Sequence, residues 1–304
     1  MYGMRLRCTQ LARWLLCMGI ALIPLVLTSC GPPRSDRIVV GSKNFTEQLI
    51  LGELIAQQIE AKTHLSVDRR FYLAGTFICQ QAMLSGRIDI YPEYTGTALT
   101  AVLKQPVGGT AQEVYERVKA GYQQRFNFVL GAPLGFDDTF AIEIRGEDAR
   151  RLQLRTISQS AAYAPKWRPG FGYEFMERPD GYRGLAAAYG LRFAESPRIM
   201  DLGLLTRALK DRQVDLIAGN TTDGLIPAFD FFVLQDDKHY FPPYEAVPVV
   251  RAETVAKHPE VRGALDSLAS SISEDDMRRL NYAVDGQHRD PVEVVKEFRQ
   301  QKGL

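Results

Sequence analysis

The chain has 304 residues, 37 Lys and Arg against 36 Asp and Glu, a formal net charge of +1, and 45% hydrophobic residues. That balance leaves no basic surplus to attract nucleic acid, and it supplies enough apolar side chain for a globular core. Four cysteines are too few for a disulfide scaffold, and the length suits two domains.

The first residues read as a leader. Arg5, Arg7 and Arg13 form a basic head, an apolar run over 14–27 is interrupted by Pro24, and Leu27, Thr28, Ser29 and Cys30 close it. Those last four residues resemble the lipobox of bacterial lipoproteins. The resemblance implies cleavage before Cys30, acylation of that cysteine, and attachment through the lipid to a membrane of the cell envelope, outside the cytoplasmic membrane. A transmembrane anchor would want about 20 apolar residues, and the run here is shorter. Residues 1–29 are therefore expected to be a signal peptide and 30–36 a tether. With Cys8 and Cys17 removed and Cys30 lipidated, Cys79 is left alone in the apolar helical context TFICQQAM, where a buried thiol is expected and no internal disulfide can form.

After the tether, strands and helices alternate. A strand is predicted over 38–40, then a helix over 45–61 with Leu49, Leu51, Ile55 and Ile59 on its apolar positions behind a cap pair, Asn44 and Glu47. A strand over 65–71, a helix over 77–84, a strand over 87–90 and a helix over 111–124 follow, an order that builds a mainly parallel sheet with crossover helices. The segment DIYPEYTGT (89–97) ends the third strand with two tyrosines, a carboxylate and hydroxyls. In α/β proteins strand carboxyl ends open onto the ligand crevice, and this mixture suits a small zwitterion.

The theme recurs further along the chain. MLSGRIDIYPEYTG (83–96) lies on ALKDRQVDLIAGNTTDG (208–224) so that Asp89 meets Asp215 and Tyr94 meets Asn220, which argues for two α/β lobes, each presenting a strand-end loop. Beyond Pro242, Pro243 and Tyr244, helices over 251–270, 274–284 and 292–301 are expected to wrap back onto the first lobe. Lobe 1 would then be discontinuous, 37–140 plus 243–304, with lobe 2 over 141–242. Two chain crossings near 139–142 and 240–246 make a hinge, with a ligand cleft between the lobes.

Five segments resemble one family throughout: GSKNFTEQ (41–48), YPEYTGT (91–97), GFDDTFAI (135–142), GYEFMERPDGYRGL (172–185) and FPPYEAVPVVR (241–251). They are similar to the substrate-binding proteins of bacterial and archaeal ABC importers for quaternary-ammonium osmolytes such as glycine betaine, choline and carnitine. The resemblance implies a type II periplasmic binding protein that closes on a zwitterion and docks on the transmembrane subunit of a permease. It implies an aromatic cage for the trimethylammonium, because such a cation donates no hydrogen bond and is best met by ring faces. It further implies Lys43, Arg178 and the Thr97 hydroxyl as carboxylate partners, Tyr94 and Tyr244 as cage rings, and Asp138 beside the cage. Two positions depart from the family pattern, Phe140 where many members carry Tyr and Asn220 where another ring is expected. The cage is thus incomplete, which leaves glycine betaine and a different amino-acid-like or imidazole betaine both open as ligands.

The residues also allow plainer readings. Glu174 and Arg178 are spaced i, i+4 and would form an ordinary helix ion pair, although both are counted with the ligand site. Tyr91 is expected to pack, and Asp89 and Asp215 are expected to cap neighbouring turns. His64, His239, His258 and His288 show no metal-ligand spacing. Neither a glycine-rich phosphate loop nor a G-x-S-x-G elbow is present. Hence no catalytic residue, metal or cofactor is expected, and a monomer is expected. A ligand sensor or a secreted enzyme on the same architecture are the readings of another class.

Overall fold

The computed structural model describes residues 37–304; the leader and the whole tether, Cys30 included, lie outside them. In chain order, β1 (Arg37–Gly41), α1 (Thr46–Lys62), β2 (Ser66–Arg70), α2 (Thr76–Leu84), β3 (Ile90–Tyr94), α3 (Ala111–Phe126) and β4 (Phe128–Leu130) form the first part. The second comprises β5 (Phe140–Arg145), β6 (Pro169–Phe171), α4 (Tyr173–Glu177), β7 (Arg198–Ile199), α5 (Leu202–Lys210), β8 (Leu216–Asn220) and β9 (Phe231–Leu234). The chain then returns through β10 (Ala246–Arg251), α6 (Ala252–Lys257), α7 (Glu260–Asp266), α8 (Glu274–Asp285) and α9 (Pro291–Lys302).

Two five-stranded sheets result, ordered β2-β1-β3-β10-β4 and β7-β6-β8-β5-β9. Both are mixed rather than mainly parallel. The antiparallel pairings all involve β5 or β10, the strands that enter each sheet directly from the other one, without an intervening crossover helix. Along β1, β3 and β10, side chains alternate between two cores on opposite faces: Ile38, Val40, Ile90, Tyr94, Ala246 and Val250 face α1 and α7 to α9, whereas Tyr91, Val247 and Val249 face α2 and α3. The second sheet likewise separates two cores, and each sheet is flanked by helices.

Several sequence expectations change in detail. The strand predicted over 87–90 instead runs through Tyr91, Pro92, Glu93 and Tyr94, so the YPEY motif is strand; Pro92 is tolerated opposite Pro248 in the antiparallel pairing with β10. The helix predicted over 251–270 breaks at His258 and Pro259, because proline disfavours helical backbone before it and lacks an N–H. The expected Asn44/Glu47 cap does not form. Phe45 occupies the cap position without a side-chain bond, and Glu47 turns inward. Asp89 and Asp215 do not cap turns through these bonds but tie neighbouring strands in matching ways: Asp89 accepts from the Val39 N–H of β1 at 2.8 Å and Asp215 from the N–H of Arg168, just before β6, at 3.0 Å. Cys79 is buried, and burial pushes its thiol up to about 12. No helix among the described residues is long and apolar enough to cross a membrane.

Candidate functional site

Where β3 and β8 end, a cavity of about 430 Å³ opens between the two sheets. Lys43, Tyr94, Thr97, Asp138, Phe140, Glu174, Arg178, Asn220 and Tyr244 all line it. The topology explains the convergence. Tyr94 is the last residue of β3 and pairs with Ala246 at the start of β10, two residues after Tyr244; Phe140 opens β5 directly across from Asn220, the last residue of β8.

Both cations are already partnered. The Lys43 ammonium bonds the Glu93 carboxylate, which also accepts from the Tyr91 hydroxyl at 3.2 Å and the Tyr94 N–H at 2.7 Å. Arg178 meets Asp180 through two bonds, Nε at 2.9 Å and Nη2 at 2.6 Å, and its Nη1 donates to Thr97 Oγ1 at 3.0 Å. Burial opposes the Arg178 charge, but the attraction and hydrogen bonds of Asp180 outweigh it and hold the guanidinium pKa above its ordinary value. Asp180 is kept below the usual carboxylate range despite its own burial, because Arg178, Tyr244 and Thr100 all favour its charge. The i, i+4 pair of Glu174 with Arg178 does not form. Arg178 is the residue that ends α4, and the Glu174 carboxylate instead accepts from the Phe77 N–H across the cleft at 3.2 Å.

The aromatic walls fall into two groups. Phe140 packs edge-on against Tyr244 at 5.7 Å and Phe175 at 4.8 Å, and Phe45 stacks on Tyr94 at 6.4 Å. Ring faces here attract cations: the Lys43 ammonium lies 5.0 Å over Tyr94, and the Arg178 guanidinium lies 5.0 Å over Phe140 and 5.8 Å over Tyr244. Gly96 makes room for one wall, since a Cβ there would come within 2.6 Å of the Tyr244 ring and 2.7 Å of the Pro243 carbonyl. Gly75 likewise leaves space for the Glu174 carboxylate.

A polar corner stands where the sequence lacks a ring. Asn220 Nδ2 donates to Asp138 Oδ2 at 2.8 Å, and Thr222 Oγ1 lies 2.8 Å from Asp138 Oδ1. Burial, then the charge of nearby Glu47, pushes the Asp138 carboxyl well above its ordinary range. This corner can accept or donate hydrogen bonds, which a ring face in the same place could not.

Sequence reasoning missed the carboxylates behind the cations. Asp180 sits in Arg178-Pro179-Asp180-Gly181, a spacing that reads as a turn, and Glu93 alternates with its motif neighbours as though facing solvent. The one available signal was that a buried cation demands a partner. Also missed were Phe45, which stacks on Tyr94, and Glu47, which accepts from the Tyr94 hydroxyl at 2.7 Å.

Comparison with known proteins accords with this geometry. The family described as the substrate binding domain of ABC-type glycine betaine transport systems matches residues 36–301. The ergothioneine transport permease/ergothioneine binding protein of Helicobacter pylori is 35% identical over 88% of this chain, which spans 48% of that longer protein. The carnitine transport binding protein of Listeria monocytogenes is 34% identical over 91% of this chain and 92% of its own length. A crystal structure of a glycine betaine/carnitine/choline ABC transporter protein superposes with a TM-score of 0.72 at 31% identity, covering 88% of this chain and 98% of that one. Such proteins are two-lobed receptors that bind small ligands and work with permease subunits. The chain belongs to the substrate-binding family of ABC-type glycine betaine transport systems, as a solute-binding protein and not an enzyme.

Proposed function

We propose that this protein is a lipid-anchored receptor outside the cytoplasmic membrane that hands a quaternary-ammonium zwitterion to an ABC permease. Its preferred ligand, in this reading, is an imidazole-type betaine rather than glycine betaine. The observation that carries the choice is the Asn220–Asp138 pair, which offers hydrogen bonds where a further ring would complete a cage. Tyr94, Phe140 and Tyr244 suit a trimethylammonium head, and Lys43, Arg178 and Thr97 suit a carboxylate. A ring bearing an N–H, carried as a side chain on the carbon that bears both ends, would use the remaining corner; glycine betaine has no group to place there. Identity to relatives does not choose between ligands, since the ergothioneine-binding and carnitine-binding proteins stand at 35% and 34%. The corner does.

Titration calorimetry with ergothioneine, carnitine, choline and glycine betaine tests this. Ergothioneine is expected to bind at least about tenfold more tightly than glycine betaine, one decade being 1.4 kcal/mol. Asn220→Tyr restores a ring worth about 0.5–2 kcal/mol and is expected to strengthen glycine betaine binding by roughly 2- to 30-fold while weakening ergothioneine. Glycine betaine binding as well as ergothioneine would refute the choice of ligand. Silence from every quaternary amine would refute the betaine reading itself.

A further inference from the structure

Asp138 of the polar corner is paired with a second buried carboxyl, Glu47, to which the ligand reading gives no role. Glu47, in the first turn of α1, and Asp138, just before β5, are 2% and 6% exposed. Thr222, which follows β8 on the opposite side of the cleft, places its Oγ1 2.5 Å from Glu47 Oε2 and 2.8 Å from Asp138 Oδ1. A hydroxyl has one proton to give. With both carboxylates ionised, one of those two short contacts would join oxygens with no hydrogen between them.

The remaining partners are neutral. Tyr94 from β3 and Asn281 from α8 donate to Glu47 at 2.7 and 3.0 Å, while Asn220 and the Thr222 N–H donate to Asp138 at 2.8 and 3.4 Å. The charged groups around the pair give it no cation. Asp223 follows Thr222, Asp285 on α8 accepts from Thr46, Arg278 on α8 donates to the Thr221 carbonyl and is paired with Asp275 and Glu274, and Lys43, over the Tyr94 ring, is bound to Glu93. Two adjacent buried charges of one sign are costly, and one proton removes the repulsion.

We propose that Glu47 and Asp138 share a single proton through Thr222 when the cleft is shut, so that ligand capture takes up a proton. Glu47 thereby acts as a positioning residue, orienting Tyr94, while Asp138 orients Asn220. This rests on the cavity being the ligand cleft, not on which betaine fills it. The sign follows from burial, which raises both carboxyls in the closed form. Opening withdraws Thr222, admits water and returns them toward about 4. The closed form is therefore favoured fully below that range and loses ground as pH rises toward the raised closed-state value.

Calorimetry of the tightest-binding betaine, in buffers of different ionisation enthalpy and between about pH 6 and 8, reads the proton directly. The expected result is uptake of one proton per ligand and an affinity that falls toward tenfold per pH unit. Glu47→Gln and Asp138→Asn, each tested separately, are expected to abolish the uptake and flatten the profile. Zero uptake by the unmodified protein, or uptake that survives both substitutions, overturns the proposal. Should every betaine fail to bind, the ligand reading falls but the proton can still be tested. Asn44 and Asp201 hydrogen-bond across the cleft, so a short bifunctional thiol cross-linker between Asn44→Cys and Asp201→Cys can hold it shut. At neutral pH the infrared spectrum of the locked protein should then show a protonated-carboxyl band that Glu47→Gln removes, and absence of that band overturns the proposal independently.

Discussion

Glu93→Gln isolates the cost of leaving the Lys43 ammonium alone. Lys43 and Glu93 are buried, with side chains 4% and 0% exposed. Glutamine keeps the shape and an acceptor oxygen for the Tyr94 N–H, and its amide can donate to the Tyr91 hydroxyl oxygen in place of accepting from it, so the main loss is the charge opposite Lys43. Removing one partner of a buried ion pair costs about 3–5 kcal/mol, because the other charge stays desolvated and unpaired. At roughly 2–4 °C per kcal/mol for a protein near this size, Glu93→Gln should lower the melting temperature by about 6–20 °C. Adding Lys43→Met removes the orphaned charge, so the double variant is expected to melt above Glu93→Gln alone, the reverse of additive losses. Differential scanning calorimetry without ligand checks both. A Glu93→Gln shift under about 2 °C, or a double variant less stable than Glu93→Gln, would refute the reasoning.

Three further outcomes follow from the same geometry. Gly96→Ala would gain up to about 1 kcal/mol of helix propensity in its turn, but its methyl meets the Tyr244 ring and the Pro243 carbonyl, a backbone atom that no rotamer can move. Overpacking at about 1–3 kcal/mol wins, and titration calorimetry should show betaine affinity falling by up to roughly tenfold. Asp215 would be raised by burial, yet hydrogen bonds from Arg168 and Arg145 hold it at about 2. Its contribution is present above the ordinary carboxylate value and lost as pH falls from about 4 toward 2, so Asp215→Asn should flatten that part of the acid-stability curve. Cys79, with its thiol raised to about 12 by burial, should resist alkylation at pH near 8 in the folded protein and react on unfolding in urea.

The alternation of elements was legible because apolar periodicity and turn chemistry are local properties. The same holds for the paired Asp89 and Asp215, whose matched sequence positions became matched bonds to neighbouring strands. The sheets' mixed character was not legible, since β5 and β10 read as short apolar runs whatever the direction of the strand beside them. Pro92 pointed away from strand, and only its place opposite Pro248 shows why it is tolerated there. At the site, the nine residues expected from motifs line one cavity, but the expected ion pair of Glu174 with Arg178 does not form.

By itself, the sequence determined which side-chain chemistries are available: rings, two cations, hydroxyls, and an asparagine where a ring could have been. Only the tertiary structure decided how those groups are spent. Lys43 is bound to Glu93, 50 residues away, and Arg178 to Asp180, while Glu47, Asp138 and Thr222 meet from three separate segments. A buried charge must find its counter-charge or its proton wherever the fold brings one, and that search runs through space rather than along the chain.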